Sequence, residues 1–164
     1  MPQDPRRAHW WWHDERVLGG RAVVVDVDGV LADAAGRQHH LDWDRRDWDA
    51  FFEACGDDPV IDEVRTLVSL LDPTLVVLLV TARPQRVREI TVAWLEDHGL
   101  RWDLLVMRPE HELAPAAAFK RDVVDELRGE GFVLELALED DPRNRAMYLG
   151  CDVPCLYLHS GYYE

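Results

Sequence analysis

Five short apolar runs, each rich in β-branched residues, alternate along the chain with segments whose apolar residues recur at helical spacing. The runs cover 22–26, 75–80, 103–107, 132–138 and 154–158. Three of them are nearly continuous hydrophobics, which is typical of strands covered on both faces. Strands that alternate with helices favour parallel pairing with right-handed crossovers. The sequence therefore predicts an α/β fold with a doubly wound parallel sheet, in which ligands bind beyond the carboxyl ends of the strands.

The segments between these runs predict four helices. The first follows Asp58, which is a good N-cap residue with a proline directly after it. The second opens at Pro84 and stops at Gly99. The other two cover about 115–128 and 143–149. Each helix has room to cross from the end of one strand to the start of the next, as the doubly wound arrangement requires.

One segment fits no step from strand to helix. Residues 33–58 are polar and rich in tryptophan, with one short helix predicted around 47–54. Because the segment follows the first strand, we predict that it forms a small cap over the carboxyl edge of the sheet. Its aromatic residues are expected to hold the cap on the body of the protein, with stacking on a substrate as the alternative. These residues are Trp43, Trp48, Phe51 and Phe52.

Length, composition and charge narrow the class of protein. The 164 residues suit a single domain over 1–164 with an N-terminal arm over 1–20. No apolar run approaches the roughly 20 residues that span a bilayer, and the N-terminus lacks the apolar core of a signal peptide, so we predict a soluble cytoplasmic protein without a membrane partner. The net charge of −14 argues against a protein that coats DNA or a membrane surface. It allows an enzyme that holds one phosphate through a metal ion and a few cations.

Polar and charged residues collect at the predicted carboxyl edge of the sheet. Two aspartates follow the first strand two positions apart, so that both side chains point to the same side. A threonine ends the second strand, a lysine lies near the start of the third helix, and three acidic residues end the fourth strand. In chain order these residues and their neighbours are Asp26, Asp28, Thr81, Ala82, Arg83, Lys120, Glu139, Asp140 and Asp141.

This grouping predicts phosphoryl transfer. Carboxylates from neighbouring strand ends form a hard-oxygen site that suits Mg²⁺, and such a cation relieves the repulsion between Asp26 and Asp28. One carboxylate can then attack phosphorus, while the other protonates the leaving oxygen and later activates water. Thr81 and the neighbouring backbone N–H groups would hold phosphate oxygens. Lys120 and Arg83 would neutralise the developing charge.

Four motifs resemble, in order, those of the haloacid dehalogenase superfamily of phosphohydrolases. They are DVDGVLAD, LLVTARP, FKRD and LALEDD, and the resemblance covers about 21–160. It implies a haloacid dehalogenase-like fold in which Asp26 is the nucleophile, forms an aspartyl-phosphate, and is assisted by Asp28 as general acid and base. It also implies that Thr81 and Lys120 bind the phosphate.

The same resemblance implies a Mg²⁺ site. The carboxylate of Asp26, the backbone carbonyl of Asp28 and the last acidic cluster would hold the ion. Of Glu139, Asp140 and Asp141, two usually act in the superfamily. The distance along the chain to the following Met-Tyr pair favours Glu139 and Asp140.

A closer resemblance is to the phosphatase domain of polynucleotide kinase-phosphatase. Residues 80–109 carry it, together with the sequences EDDPRNRAMYLG and HSGYY. It implies removal of 3′-phosphates from nucleic-acid ends, with Arg83 and Arg108 as further contacts to the substrate; a surface salt bridge is the alternative for each arginine. Two other functions stay open. DGVLAD also suggests a nucleotidase or another small-molecule phosphatase, and a non-catalytic phosphate-binding or regulatory protein is an alternative of a different class.

The arm contains the consecutive tryptophans Trp10–Trp12. Three adjacent indoles are expected to pack either on the domain that carries them or on a second subunit, and the second arrangement would make the chain an oligomer. Stacking on a nucleic-acid base is a further alternative.

Overall fold

A computed structural model describes residues 1–42 and 44–163. At its centre, the described residues form a six-stranded sheet with the strand order β1-β4-β3-β2-β5-β6. Strands β2 to β6 are parallel, and β1 pairs antiparallel with β4 at one edge. The predicted α/β fold with a parallel sheet is therefore confirmed, with one added antiparallel strand. The strands are β1 Trp10–Trp12, β2 Gly20–Val25, β3 Val76–Pro84, β4 Leu104–Arg108, β5 Phe132–Glu139 and β6 Cys155–Tyr157.

Helices cover both faces of this sheet. The described α-helices are α1 Trp48–Glu53, α2 Asp62–Leu70, α3 Arg88–Asp97, α4 Ala116–Gly129 and α5 Pro142–Gly150. Short 3-10 helices are formed by Ala34–Leu41, Ala54–Asp57 and Gln85–Val87. No helix among the described residues is long and apolar enough to cross a membrane.

The sheet separates two apolar cores. Along β2, Val23 and Val25 face the core that α2 and α3 cover, whereas Ala22 and Val24 face the core that α4 and α5 cover. Because alternate side chains of a strand point to opposite faces, a strand buried on both sides needs a continuous apolar sequence. This explains why the central strands could be predicted from uninterrupted hydrophobic runs.

The start of α2 differs from the prediction. Asp58 is not the N-cap; Ile61 is, and it makes no side-chain capping hydrogen bond. The carboxylate of Asp58 is buried and accepts hydrogen bonds from Arg37. An N-cap hydrogen bond contributes about 1 kcal/mol, whereas leaving a buried guanidinium without its partner costs roughly 3–5 kcal/mol. The ion pair therefore determines where Asp58 lies.

The tryptophan arm is part of the sheet. Trp10–Trp12 form β1, and each side chain is at most 3% exposed. The indole N–H of Trp10 donates to Glu126, and that of Trp12 donates to Asp4. The arm thus packs on its own domain, which leaves these rings unavailable to a second subunit or to a nucleic-acid base. The burial of the arm gives no support to the alternative that it joins two subunits.

The segment between β2 and β3 contains α1 and two 3-10 helices. Three of its aromatic side chains pack on one another, with ring centroids 5.2–5.9 Å apart in Trp48, Phe51 and Phe52. Trp43, which was expected in the same cluster, lies outside the described residues. The ring of Phe51 covers the guanidinium of Arg37 at 4.3 Å. Arg37 in turn contacts Asp28, so this segment packs directly against the carboxyl edge of the sheet.

Candidate active site

The carboxyl ends of β2 and β5 and the first turns of α4 bring three charged side chains into contact. Asp26 directly follows β2, Glu139 ends β5, and Lys120 lies on α4. The ammonium nitrogen of Lys120 is 3.1 Å from Asp26 Oδ1 and 2.7 Å from Glu139 Oε2. All three side chains are buried. The lysine therefore lies where it can hold both the aspartate and an anion bound beside it.

Asp26, Glu139 and Asp140 also form a cluster of oxygens suited to a cation. One oxygen from each carboxylate can be chosen so that all three lie within 4.8 Å of one another. Both carboxylate oxygens of Asp140 are buried, and within the described part of the chain neither has a partner with hydrogen-bond geometry. Buried carboxylate oxygens without donors are costly. Three carboxylates beside one ammonium group leave an excess of negative charge, and a divalent cation with oxygen ligands fits both requirements.

The pKa values follow from this crowding. Burial, with the charge of Glu139, raises the pKa of Asp26 well above its usual value. Burial is also the main reason that the pKa of Asp140 rises to about 7. Burial would raise the pKa of Glu139 too, but the contact with Lys120 outweighs it and holds that pKa below its ordinary value. Asp26 and Asp140 thus favour the protonated form, and positive charge in addition to Lys120 would favour their ionised form.

A tight turn directly after β2 depends on Gly29. Its φ angle is +79°, and a Cβ atom at this position would lie 2.0 Å from Asp140 Oδ2. Only glycine adopts this backbone conformation without strain and also leaves room for the Asp140 carboxylate.

Replacing Gly29 with alanine is expected to destabilise the protein by roughly 1–3 kcal/mol through backbone strain, and to displace Asp140. Any activity that depends on the Asp140 carboxylate should fall with it. Gly36→Ala is the matched control, because a Cβ atom at Gly36 has no neighbour within 4 Å. Thermal melts and initial rates of both variants measure the difference. A Gly29→Ala protein as stable and active as Gly36→Ala would contradict the assigned packing.

Asp28 belongs to a second cluster, made with two arginines and another aspartate. Its Oδ1 accepts a hydrogen bond of 2.7 Å from Arg83 Nη2 and another from Arg37. Arg37 also donates to both oxygens of Asp58, at 2.9 Å and 2.7 Å. Burial would raise the pKa of Asp28, but the charges of the two arginines outweigh it and lower that pKa below its usual value. Two negative and two positive charges therefore compensate one another next to Asp26.

Arg83, which contacts Asp28, lies where β3 is irregular near its end. The pairing of β3 with β4 shifts register between Thr81 and Pro84, which is the behaviour of a β-bulge. The Arg83 guanidinium is fully buried and donates to Thr91 Oγ1 at 3.1 Å as well as to Asp28. The Thr81 hydroxyl, also buried, accepts a hydrogen bond from the backbone N–H of Arg83.

Comparison with known proteins identifies the family. Residues 20–163 match the family model described as the polynucleotide kinase PNKP phosphatase domain. The chain belongs to this family. It is therefore a phosphatase of the haloacid dehalogenase type, as the four motifs predicted. No curated protein sequence matches it significantly.

Solved structures with the same fold have low sequence identity. A chain of the Pnkp1/Rnl/Hen1 RNA repair complex has 21% identity and a TM-score of 0.73, and the match covers 97% of this chain and 49% of that one. A class C acid phosphatase from Bacillus anthracis with tungstate bound has 12% identity and a TM-score of 0.63, over 88% of this chain and 68% of the other. The phosphatase described here thus spans about half the length of the RNA repair chain.

Some of the predicted site residues of the phosphatase lie outside both clusters. Arg108 donates hydrogen bonds to the backbone carbonyls of Glu112 and Ala114 and so holds the loop after β4. Asp141 caps α5 by accepting from the backbone N–H of Arg143 and is paired with the guanidinium of that residue at 2.8 Å. Ala82 lies on β3 and is half-buried. Of the other predicted residues, Asp26, Lys120, Glu139 and Asp140 meet in the first cluster, and Asp28 and Arg83 meet in the second.

Arg37 and Asp58 were missed by sequence reasoning. Arg37 stands in a polar segment, where an arginine is expected to be solvated, and Asp58 precedes a proline in the manner of an N-cap. Both are nonetheless buried, with exposed fractions of 2% and 6%. In the sequence, both residues lie in the segment between the first motif and the first crossover helix. That position does not indicate which carboxylate an arginine contacts.

Replacing Arg37 with methionine is expected to destabilise the phosphatase by roughly 3–5 kcal/mol, because two carboxylates lose a buried partner. Activity should also fall, since Asp28 loses one of the two cations that lower its pKa. Thermal melts and rates on p-nitrophenyl phosphate measure both effects. Arg21→Met is the control, because the Arg21–Glu135 pair is exposed and its loss should change little. Equal melting temperatures for the two variants would contradict the assigned role of Arg37.

Proposed function

We propose that the phosphatase is a Mg²⁺-dependent phosphomonoesterase that removes 3′-phosphates from nucleic-acid ends through an aspartyl-phosphate on Asp26. One observation carries the chemistry: the Asp26 carboxylate lies 3.1 Å from the Lys120 ammonium and shares a cation-sized oxygen cluster with Asp140. In this proposal Asp26 is the nucleophile, Lys120 is the cation for the phosphoryl oxygens, and the metal binds at the same buried point.

The first step transfers the phosphoryl group to the protein. An Asp26 carboxylate oxygen attacks phosphorus, the ester P–O bond breaks, and the leaving oxygen takes a proton from Asp28. In the second step a water molecule attacks phosphorus, Asp28 accepts its proton, and the bond between phosphorus and Asp26 breaks. Lys120 stabilises the negative charge on the phosphoryl oxygens in both steps, and the Thr81 hydroxyl and nearby backbone N–H groups hold the same oxygens.

Asp28 must change its protonation state between these steps. The paired arginines Arg37 and Arg83 favour its ionised form, which is the form that accepts a proton from water. A phosphate dianion bound beside it raises its pKa, because like charges favour the neutral form. Substrate binding therefore favours protonated Asp28, which can act as the acid. After its proton has gone to the leaving alcohol, Asp28 is ionised and can act as the base.

Asp26 and Asp140 are the residues best placed to hold Mg²⁺. Glu139 is close to them, but its Oε2 accepts from Lys120, and its Oε1 accepts from the backbone N–H groups of Asp140 and Asp141. We therefore assign Glu139 to positioning Lys120 and Asp140, with Asp28 contributing at most its backbone carbonyl. Bound Mg²⁺ would neutralise charge on the phosphoryl group and on the two aspartates.

The family and one structural relative support the proposed substrate. The family is that of a polynucleotide kinase phosphatase domain, and the relative is a component of an RNA repair complex. Only the terminal nucleotide of a strand needs to enter the site, which is compatible with the net charge of −14. In this proposal residues 33–58 act as a small cap, Arg108 contacts the strand through its loop, and the enzyme works in the cytoplasm.

A substrate panel tests this function. In the presence of Mg²⁺, kcat/KM for a 3′-phosphorylated oligonucleotide is expected to exceed that for a 5′-phosphorylated one and for free nucleoside monophosphates by at least about tenfold. Asp26→Asn serves as the inactive control. A preference for the monophosphates would instead support the nucleotidase that DGVLAD suggests. Equal rates for wild type and Asp26→Asn would show that the chain is not an enzyme of this mechanism.

A further inference from the structure

The segment after β6 folds back across the active-site edge. Its start is held by the backbone N–H of Leu158, which donates to the carbonyl of Glu139 at 2.9 Å. Its other end is held by the hydroxyl of Tyr162, which donates to Asp33 Oδ1 at 2.9 Å. Residues 158–163 therefore connect the end of β5 with the beginning of the cap segment. A turn at Gly161, with φ of +81°, makes this path possible.

Tyr163 lies on a positively charged support. The guanidinium carbon of Arg143 is 5.5 Å from the centre of the Tyr163 ring. Arg143 is itself fixed by two hydrogen bonds to Asp141, of 3.0 Å and 2.8 Å. The Tyr163 residue is nevertheless 46% exposed. The ring therefore combines a contact to a guanidinium with a surface that a substrate can reach.

The same ring is linked to the acidic residues at the end of β5. Arg143, which lies over the ring, is held by Asp141, the residue after Asp140. Burial, together with the negative charges of Asp140 and Asp26, raises the pKa of the Tyr163 hydroxyl above its usual value. The ring also belongs to the segment that is held at Glu139 and at Asp33, so it lies beside the active-site edge with nearly half of its residue exposed.

We propose that Tyr163, supported by Arg143, is the stacking platform for the base of the nucleotide whose 3′-phosphate is removed. This inference rests on the proposed function. Every nucleobase has a flat π-face that stacks on an aromatic ring without dependence on sequence, and an arginine behind the ring strengthens the contact. A chain with a net charge of −14 attracts a phosphate backbone only weakly, so an aromatic contact beside the site would help to hold a strand end.

Three substrates distinguish stacking from a general effect on the site. They are a 3′-phosphorylated oligonucleotide, the same oligonucleotide with an abasic 3′-terminal residue, and p-nitrophenyl phosphate. Tyr163→Ala is expected to raise KM about tenfold for the first substrate only, because one base–aromatic contact is lost. Tyr163→Phe should restore the wild-type KM. For the abasic substrate, wild type and Tyr163→Ala should have the same KM.

Tyr157→Ala is the matched control. Tyr157 also lies over an arginine, with 6.0 Å between its ring and Arg145, and it is 39% exposed. Its loss should leave KM for the base-bearing substrate unchanged. Equal effects of Tyr163→Ala on all three substrates, or no effect on any, would overturn the platform. Failure of the proposed function would give a different result, because wild type would then hydrolyse p-nitrophenyl phosphate but not the oligonucleotide. That result would also overturn the role of Tyr163.

Discussion

Replacing Asp26 with asparagine is expected to lower kcat on any phosphomonoester by on the order of 10⁴-fold or more, as loss of a covalent nucleophile does. An amide cannot attack phosphorus to form the acyl phosphate. The variant should remain folded, because burial already favours the neutral form of this residue. Single-turnover rates with a 3′-phosphorylated oligonucleotide measure the loss, and thermal melts test the fold.

A conservative change elsewhere controls for the loss of one negative charge. Asp122→Asn alters an exposed residue on α4, the helix that also carries Lys120. Its rate should match that of the wild type. Substantial residual activity in a highly purified Asp26→Asn protein would assign the nucleophile to another group.

Removing the metal is expected to have the second large effect. Chelation with EDTA should abolish activity, and added Mg²⁺ should restore it. In Asp140→Asn, Mg²⁺ should restore little activity, because one of the carboxylates of the oxygen cluster has lost its charge. Metal binding to the folded state also stabilises it, by about 2.7 kcal/mol at 100 times the dissociation constant. A rise in melting temperature with Mg²⁺ is therefore expected for the wild type and not for the variant.

Without metal, the stability of the wild type should depend more strongly on pH than that of Asp140→Asn. The pKa of Asp140 is about 7 in the folded chain against an ordinary value of 3.8. A group with a raised pKa stabilises the fold in its protonated form, and that contribution is lost as the pH rises toward the folded value. Without metal, the wild type should therefore lose stability between about pH 4 and pH 7, and Asp140→Asn should lose less. Identical pH profiles, or the same Mg²⁺ response in both proteins, would contradict the assignment of Asp140.

The meeting of Asp26 and Glu139 could be predicted from sequence because it depends on strand direction, and that of Lys120 because it lies near the start of the helix before β5. Parallel strands end at one edge, so residues that end β2 and β5 meet there whatever their separation along the chain. The helices that cover the sheet were predicted separately, from the helical spacing of their apolar residues. Neither prediction required any knowledge of side-chain conformation.

The partners of Asp28 could not be predicted in this way. Arg37 is 21 residues from Asp58 and belongs to a polar segment without helical or strand periodicity, so no pattern indicates that the two form a buried pair. Arg83 was expected to contact substrate or to form a surface salt bridge, but it is fully buried and pairs with Asp28. The antiparallel pairing of Trp10–Trp12 with β4 was missed for a related reason, since three residues are too few to show an alternating pattern.

The stereochemical course at phosphorus tests the Asp26 intermediate most directly. Each in-line displacement inverts the configuration of a phosphoryl group made chiral with oxygen isotopes. Transfer to Asp26 followed by transfer to an acceptor alcohol consists of two displacements, so overall retention is expected. Inversion would show that the acceptor attacks the substrate directly, and it would contradict an aspartyl-phosphate on Asp26.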